Sequence, residues 1–171
     1  MVRAFPPAAI VLLAALTPAA ALAAPIAAAP PATANALMIH PVTITKIDDM
    51  DFGLLTVTGA GTVVIDPNAN AISKTGGVLL TGAQWHAAQF VGASAGSSVV
   101  NIKLSNQPFT ITRQGGTETM TVSNLTLEGQ SKRTIAAATS FTFRVGGTLN
   151  VAAAQVEGIY TGTFDVDIQY P

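Results

Sequence analysis

The sequence predicts an all-β protein, an antiparallel sandwich of two sheets. Three observations carry that expectation. Apolar and polar residues alternate with period two over many short stretches, the pattern of strands with one buried face. Those stretches are divided by Gly, Pro, Asn and Asp at turn spacing. The only stretches with any helical character (85–88, 135–139 and 152–155) are each too short to stand as an isolated helix. About eight to ten short strands at this spacing suit a two-sheet sandwich better than any other architecture.

The closing stretch is the most strongly patterned. Tyr160, Gly162, Phe164, Val166, Ile168 and Tyr170 occupy even positions, while Thr161, Thr163, Asp165, Asp167 and Gln169 occupy odd ones. The pattern predicts one long strand over 160–170 with a buried even face, because a slip of one residue would bury two aspartates. Such a strand must dock into a sheet formed from the earlier chain.

From the N-terminus, Arg3 precedes a short apolar run (8–16), then Thr17-Pro18 and a small-residue series with an Ala-x-Ala site at Ala21-Leu22-Ala23. That layout predicts a signal peptide over 1–23, too short in its apolar part to span a bilayer. Its removal leaves 148 residues, the size of one domain. Residues 24–36, rich in Ala and Pro, form an extended arm, since Pro25, Pro30 and Pro31 suit neither helix nor central strand. The sandwich is expected over 37–171.

Within it, Val42 and Ile44 alternate with Thr43 and Thr45, and Pro41 suits a strand start or sheet edge. Asp48-Asp49-Met50-Asp51 turns the chain into Leu54-Leu55-Thr56-Val57, and a separate run over 62–65 ends at the turn Asp66-Pro67-Asn68. Val78-Leu79-Leu80 follows Gly76-Gly77, and residues 89–91 and 99–104 are further strands. Two more, at 109–112 and 120–127, flank Gln114-Gly115-Gly116. In the second of these the apolar phase moves from even (Met120, Val122) to odd (Leu125, Leu127), which predicts a β-bulge at Ser123-Asn124. Gly146-Gly147 between the alternating runs 141–145 and 148–151 predicts a tight hairpin.

Composition excludes several functions. There is no cysteine, hence no disulfide, thiolate catalysis or thiolate metal site. Without Arg3, seven basic residues face nine acidic ones, no footprint for nucleic acid. His40 and His86 lie far apart in sequence with no carboxylate at ligand spacing, so neither metal nor cofactor is expected. Asp48, Asp49 and Asp51, and the run from Asp66 to Asn70, fit turn chemistry and lack the glycine and bidentate glutamate of a calcium loop. Asp165 and Asp167 share a solvated strand face, not a cleft. No serine sits in a nucleophile elbow, so no enzyme is expected. Trp85, the single tryptophan, fits either a core plug or an exposed platform for a sugar ring.

Three segments together carry a resemblance: PVTITKIDDMDFG (41–53), TVSNLTLEG (121–129) and RVGGTLNV with GIYTGTFDVDIQY (144–170). The chain resembles the bacterial domain of unknown function 4402 family, which is similar to the major subunits of Mat/Ecp-type common pili. The resemblance implies an immunoglobulin-like sandwich, exported to the periplasm, cell surface or medium. It implies a self-associating, adhesive fimbrial subunit whose partners are copies of itself, a periplasmic chaperone and an outer-membrane usher. Candidate assembly residues are Leu37 and Ile39 ahead of the first strand and Tyr160, Phe164, Val166, Ile168 and Tyr170 at the end. The alternative is a monomeric exported sandwich that binds a glycan or envelope partner through Trp85. The arm departs from the pilin pattern, offering mainly Ala and Pro with Ile26 where a donated strand carries alternating large apolar residues.

Export is directly testable. The protein recovered from outside the cytoplasm is expected to begin at Ala24, or at Pro25 if cleavage falls one residue later. N-terminal sequencing that returned Met1 would contradict this.

Overall fold

The computed structural model describes residues 33–36, 38–82, 84–105 and 107–171. The signal peptide, most of the arm and Leu37 lie outside the described residues. Met38–Pro171 forms one compact unit; residues 33–36, ahead of it, are exposed and belong to no strand.

The described residues contain eleven strands and no helix. They are Val42–Asp48 (β1), Leu55–Asp66 (β2), Ala71–Leu80 (β3), Ala88–Ser94 (β4), Ser98–Ser105 (β5), Phe109–Arg113 (β6), Thr119–Leu127 (β7), Lys132–Ile135 (β8), Thr139–Val151 (β9), Tyr160–Thr161 (β10) and Asp165–Gln169 (β11). The larger sheet runs β1-β4-β9-β7-β6-β10, with the β2–β3 hairpin joined to β9; the smaller runs β11-β5-β8. All pairings are antiparallel. The predicted two-sheet antiparallel sandwich is therefore the observed one.

The longest strand, β9, holds the larger sheet together. Its first half pairs with β4 (Phe143 opposite Phe90), and its second half pairs on the same side with β2 (Leu149 opposite Val63). Its other side pairs with β7. The hairpin predicted at Gly146-Gly147 is thus absent, and both glycines are buried within the strand. The reason is steric. A Cβ on Gly146 would overlap the Ile65 carbonyl oxygen and sit 2.7 Å from Pro67 Cδ. The glycines let β2 approach the point where β9 exchanges one neighbour for another.

The split predicted between 54–57 and 62–65 is also absent, because β2 runs through Gly59 and Gly61. A Cβ on Gly61 would meet Val78 Cγ2 at 2.9 Å and overlap the Thr75 carbonyl oxygen. The pairing with β3 shifts register there. The bulge in β7 is where the phase change predicted it: Asn124 has φ 49°, and register with β9 shifts between Ser123 and Thr126. Residues 132–135, to which the sequence pattern assigned no strand, form β8. Ile135 is buried there, and the Arg133 guanidinium lies 5.4 Å from the Phe143 ring centre.

The closing stretch keeps its predicted parity but is not one strand. Tyr160-Thr161 pairs with β6 of the larger sheet, and 165–169 pairs with β5 of the smaller. The chain changes sheets at Gly162, where a Cβ would fall 2.6 Å from the Thr110 carbonyl oxygen. Phe164, Val166 and Ile168 pack against the core but are half-buried, while their odd neighbours are exposed.

The core proper is Val63, Val78, Phe90, Ile102, Val122, Phe143, Val145 and Leu149 with smaller neighbours. Phe90 stacks on Phe143 at 5.3 Å and meets Phe164 edge-on at 6.4 Å, so aromatic contacts tie the two sheets. The outer face of the larger sheet is uncharged where Thr75, Thr62, Asn150, Thr121 and Thr110 lie directly opposite one another across five strands. Thr62 and Thr75 share a hydroxyl hydrogen bond of 2.8 Å, and the Asn150 amide donates to Ser123 Oγ at 2.9 Å. Cross-strand polar pairs of this kind stabilise a wet face without charge.

Two stability outcomes follow from this packing. Gly146→Ala is expected to destabilise by about 1–3 kcal/mol or more through overpacking. Gly59→Ala, whose Cβ would lie 3.6 Å from Gly77 Cα, should change stability by less than about 0.5 kcal/mol. In the closing stretch, Phe164→Ala should cost about 1–3 kcal/mol, below the range for a fully buried phenylalanine. Thr163→Ala should change almost nothing. Urea melts showing equal effects within either pair would contradict the assignment.

Candidate apolar cleft and its edges

The inner face of the larger sheet extends beyond its cover. Inward residues of β2, β6 and β7 that do not meet the smaller sheet (Leu55, Val57, Phe109, Ile111, Met120) are only half-buried. They line a cleft of about 1250 Å³ whose floor reaches Val122, Leu149 and Val151.

Two loop segments wall this cleft. Residues 49–54 form the first. Asp51 and His86 exchange two backbone hydrogen bonds of 2.9 Å. The Asp51 carboxylate accepts from Gly53 N at 2.7 Å, and Gly53 has the positive φ (79°) of a turn. Lys46 Nζ pairs with Asp49 at 2.5 Å. Of the three aspartates read as turn residues, Asp51 caps the turn, Asp49 pairs with Lys46, and Asp48 is instead the last residue of β1; Asp66 likewise accepts from Asn68 N at 2.8 Å.

Residues 155–159 form the second wall. The Gln155 amide donates to the Thr119 carbonyl (3.3 Å) and to the Tyr160 hydroxyl (2.7 Å), which in turn donates to the Val156 carbonyl at 2.6 Å. Gln114 N donates to the Ile159 carbonyl at 2.8 Å. Beside this wall Arg113 Nε donates to Glu118 Oε2 at 2.7 Å. That hydrogen bond holds the Glu118 carboxyl below its ordinary range and lifts Arg113 above its own. Both walls expose a large apolar side chain, Leu54 and Ile159 at 66% each, beside the exposed carboxylates of Asp49 and Glu157.

A second, narrower space of about 280 Å³ lies between β1 and β11, lined by Ile44, Lys46, Phe90, Phe164, Val166 and the two aspartates of β11. Lys46, Phe90 and Phe164 line both spaces, so slot and cleft form one groove. Each flanking strand is the end of its sheet: β1 pairs only with β4, and β11 only with β5. One end of the slot is latched. The Tyr170 hydroxyl donates to the His40 carbonyl at 2.6 Å and accepts from Val42 N at 3.0 Å.

Of the residues singled out in the sequence, the structure brings Tyr160, Phe164 and Val166 to the groove. Ile168 faces the core, and Tyr170 forms the latch. Ile39 is exposed at the start of the unit, and Leu37 lies outside the described residues. Trp85 is half-buried beside Gly53, outside the core cluster and off the cleft lining, so the core-plug reading is not observed. Sequence reasoning passed over Leu54, Ile111, Met120 and Ile159. One signal was present: Leu54-Leu55 breaks the alternation, so one of the two had to face solvent.

Among the described residues no group of three His, Asp or Glu is placed to hold a metal ion. The groove offers apolar contact, the charged side chains of Lys46, Asp49, Asp165 and Asp167 in its lining, and the outer edges of β1 and β11, which no described strand covers. No curated protein and no solved structure matches the chain. A family model does, over residues 42–170, from the first residue of β1 to the latch tyrosine. The chain belongs to the family described as Domain of unknown function (DUF4402).

Proposed function

We propose that this protein is an exported, non-catalytic structural subunit that associates with copies of itself at the cell surface, in the manner of a fimbrial subunit. The observation that carries the reading is the uncovered groove with its exposed apolar rim. Soluble monomers rarely leave a contiguous apolar patch of this kind to water, and where they do it marks an interaction site. Unpaired strand edges beside it offer backbone hydrogen bonds to an incoming chain. The predicted signal peptide supports export, and a chaperone that shields the groove before assembly fits the same chemistry.

A second reading, a monomeric exported module binding a glycan or envelope partner, rests on the half-exposed Trp85 beside the first wall.

Sedimentation of the mature protein over a range of concentrations decides between them. Growing oligomers are expected for the wild type. Leu54→Glu and Ile159→Glu, being surface changes, should leave stability within about 0.5 kcal/mol while reducing association. A wild type that stays monomeric at every concentration, with or without chaperone and usher, overturns self-association in favour of the binding module.

A further inference from the structure

We infer that the apolar cleft binds a single-chain amphiphile with a cationic head, its hydrocarbon on the cleft floor and its ammonium group where cleft and slot meet. This goes beyond self-association and does not depend on it. Three features carry it: the floor, the aromatic rings at one end, and the sign of the charge around both spaces.

The floor takes a hydrocarbon. Four neighbouring strands, β2, β9, β7 and β6, build it through Leu55, Val57, Val151, Val122, Met120 and Ile111. Three steps of about 4.8 Å between strands make it about 14 Å across, the length of a medium alkyl chain. Among the described residues no buried side-chain nitrogen or oxygen lacks a hydrogen-bond partner. The floor therefore holds no buried polar side chain waiting to recognise a sugar or a base, and the body of its ligand is apolar.

Aromatic rings and charge select the head group. Phe109 and Phe164 lie 5.6 Å apart, and Phe90 meets Phe164 edge-on at 6.4 Å. All three line the cleft, and Phe90 and Phe164 line the slot as well. Aromatic faces attract cations, quaternary ammonium groups among them. Five carboxylates line the two spaces (Asp49, Asp51, Glu157, Asp165 and Asp167) against one cation, Lys46. Lys46 is already matched by Asp49 at 2.5 Å, and Arg113, beside the second wall, by Glu118 at 2.7 Å. The surplus is negative. It draws in an ammonium head and repels a carboxylate on the same chain.

Calorimetric titration of dilute mature protein, below the micelle concentration, compares dodecyltrimethylammonium with dodecanoate. The ammonium is expected to bind one to one and at least about tenfold tighter, with the ratio shrinking as salt is raised. Shortening its chain by two methylenes should weaken binding on the order of tenfold. Met120→Trp, or Ile111→Trp should the first fail to fold, is expected to weaken binding by filling the floor. Asp165→Asn combined with Asp167→Asn should narrow the ratio between the two heads. Equal affinity for both heads, or affinity unmoved by filling the floor, overturns the inference. Binding that appears only at concentrations where copies associate assigns the cleft to a second copy and overturns it too. An absence of saturable binding also overturns it but leaves self-association standing, because sedimentation is read without amphiphile.

Discussion

The structure depends on one close backbone contact, the approach of Ile65 to Gly146. A single strand, β9, has to serve β4 over its first half and β2 over its second, with β7 along the other side. Where the two neighbours succeed one another, the Ile65 carbonyl oxygen and the Pro67 ring lie against the Gly146 Cα, leaving no room for any side chain. Phe143, Val145, Leu149 and Val151 all project from β9 into the core. Displacing β2 would therefore uncover one half of the core, and displacing β4 the other. The same contact sets how far β2 runs past the end of β9, since Gly61 is already opposite Val151. The residues beyond it, Leu55 and Val57, are those left to line the cleft.

Much of this was legible in the sequence, and what was not has identifiable causes. Period-two alternation located most strands, and the phase change in β7 located its bulge. The glycines misled, because Gly-Gly between alternating runs is read as a turn when local preference is weighed alone. Parity held the contrary evidence. A two-residue hairpin at 146–147 would have placed Thr148 and Asn150 on the same face as Phe143 and Val145. A continuous strand places Leu149 and Val151 there, which is the apolar choice. Gly59 and Gly61 repeat the lesson, since Val57, Val63 and Ile65 keep one parity across them. The change of sheet at Gly162 left no such signal, because parity is unbroken through it and only the pairing partner differs. The strand at 132–135 was hidden by its two cations, one of which, Arg133, lies over the Phe143 ring.

The groove was less legible than the fold, for a physical reason. Alternation shows which face of a strand is apolar, but not whether anything covers that face. Ile111 and Met120 have the same pattern as Val122, yet only Val122 lies beneath other residues. Coverage is decided by how far the three-stranded sheet extends over its larger partner. The result is an inner face that is core at one end and open cleft at the other, bounded by two open strand edges. That combination fits a protein whose sandwich is completed by another chain, with Tyr160, Gln155 and the Asp51–His86 pairing holding the walls of the groove in place.

Amide hydrogen exchange, compared between dilute monomer and assembled protein, tests this account most directly. Amides of β9 from Val145 to Asn150 are expected to be protected in both states, because that part of the strand is flanked by β7 on one side and by β4 or β2 on the other within one molecule. On assembly, new protection is expected along the open edges, in Val42–Asp48 and Asp165–Gln169, with little change on the threonine-rich outer face. Protection gained on the outer face while those two edges continued to exchange as in the monomer would contradict it.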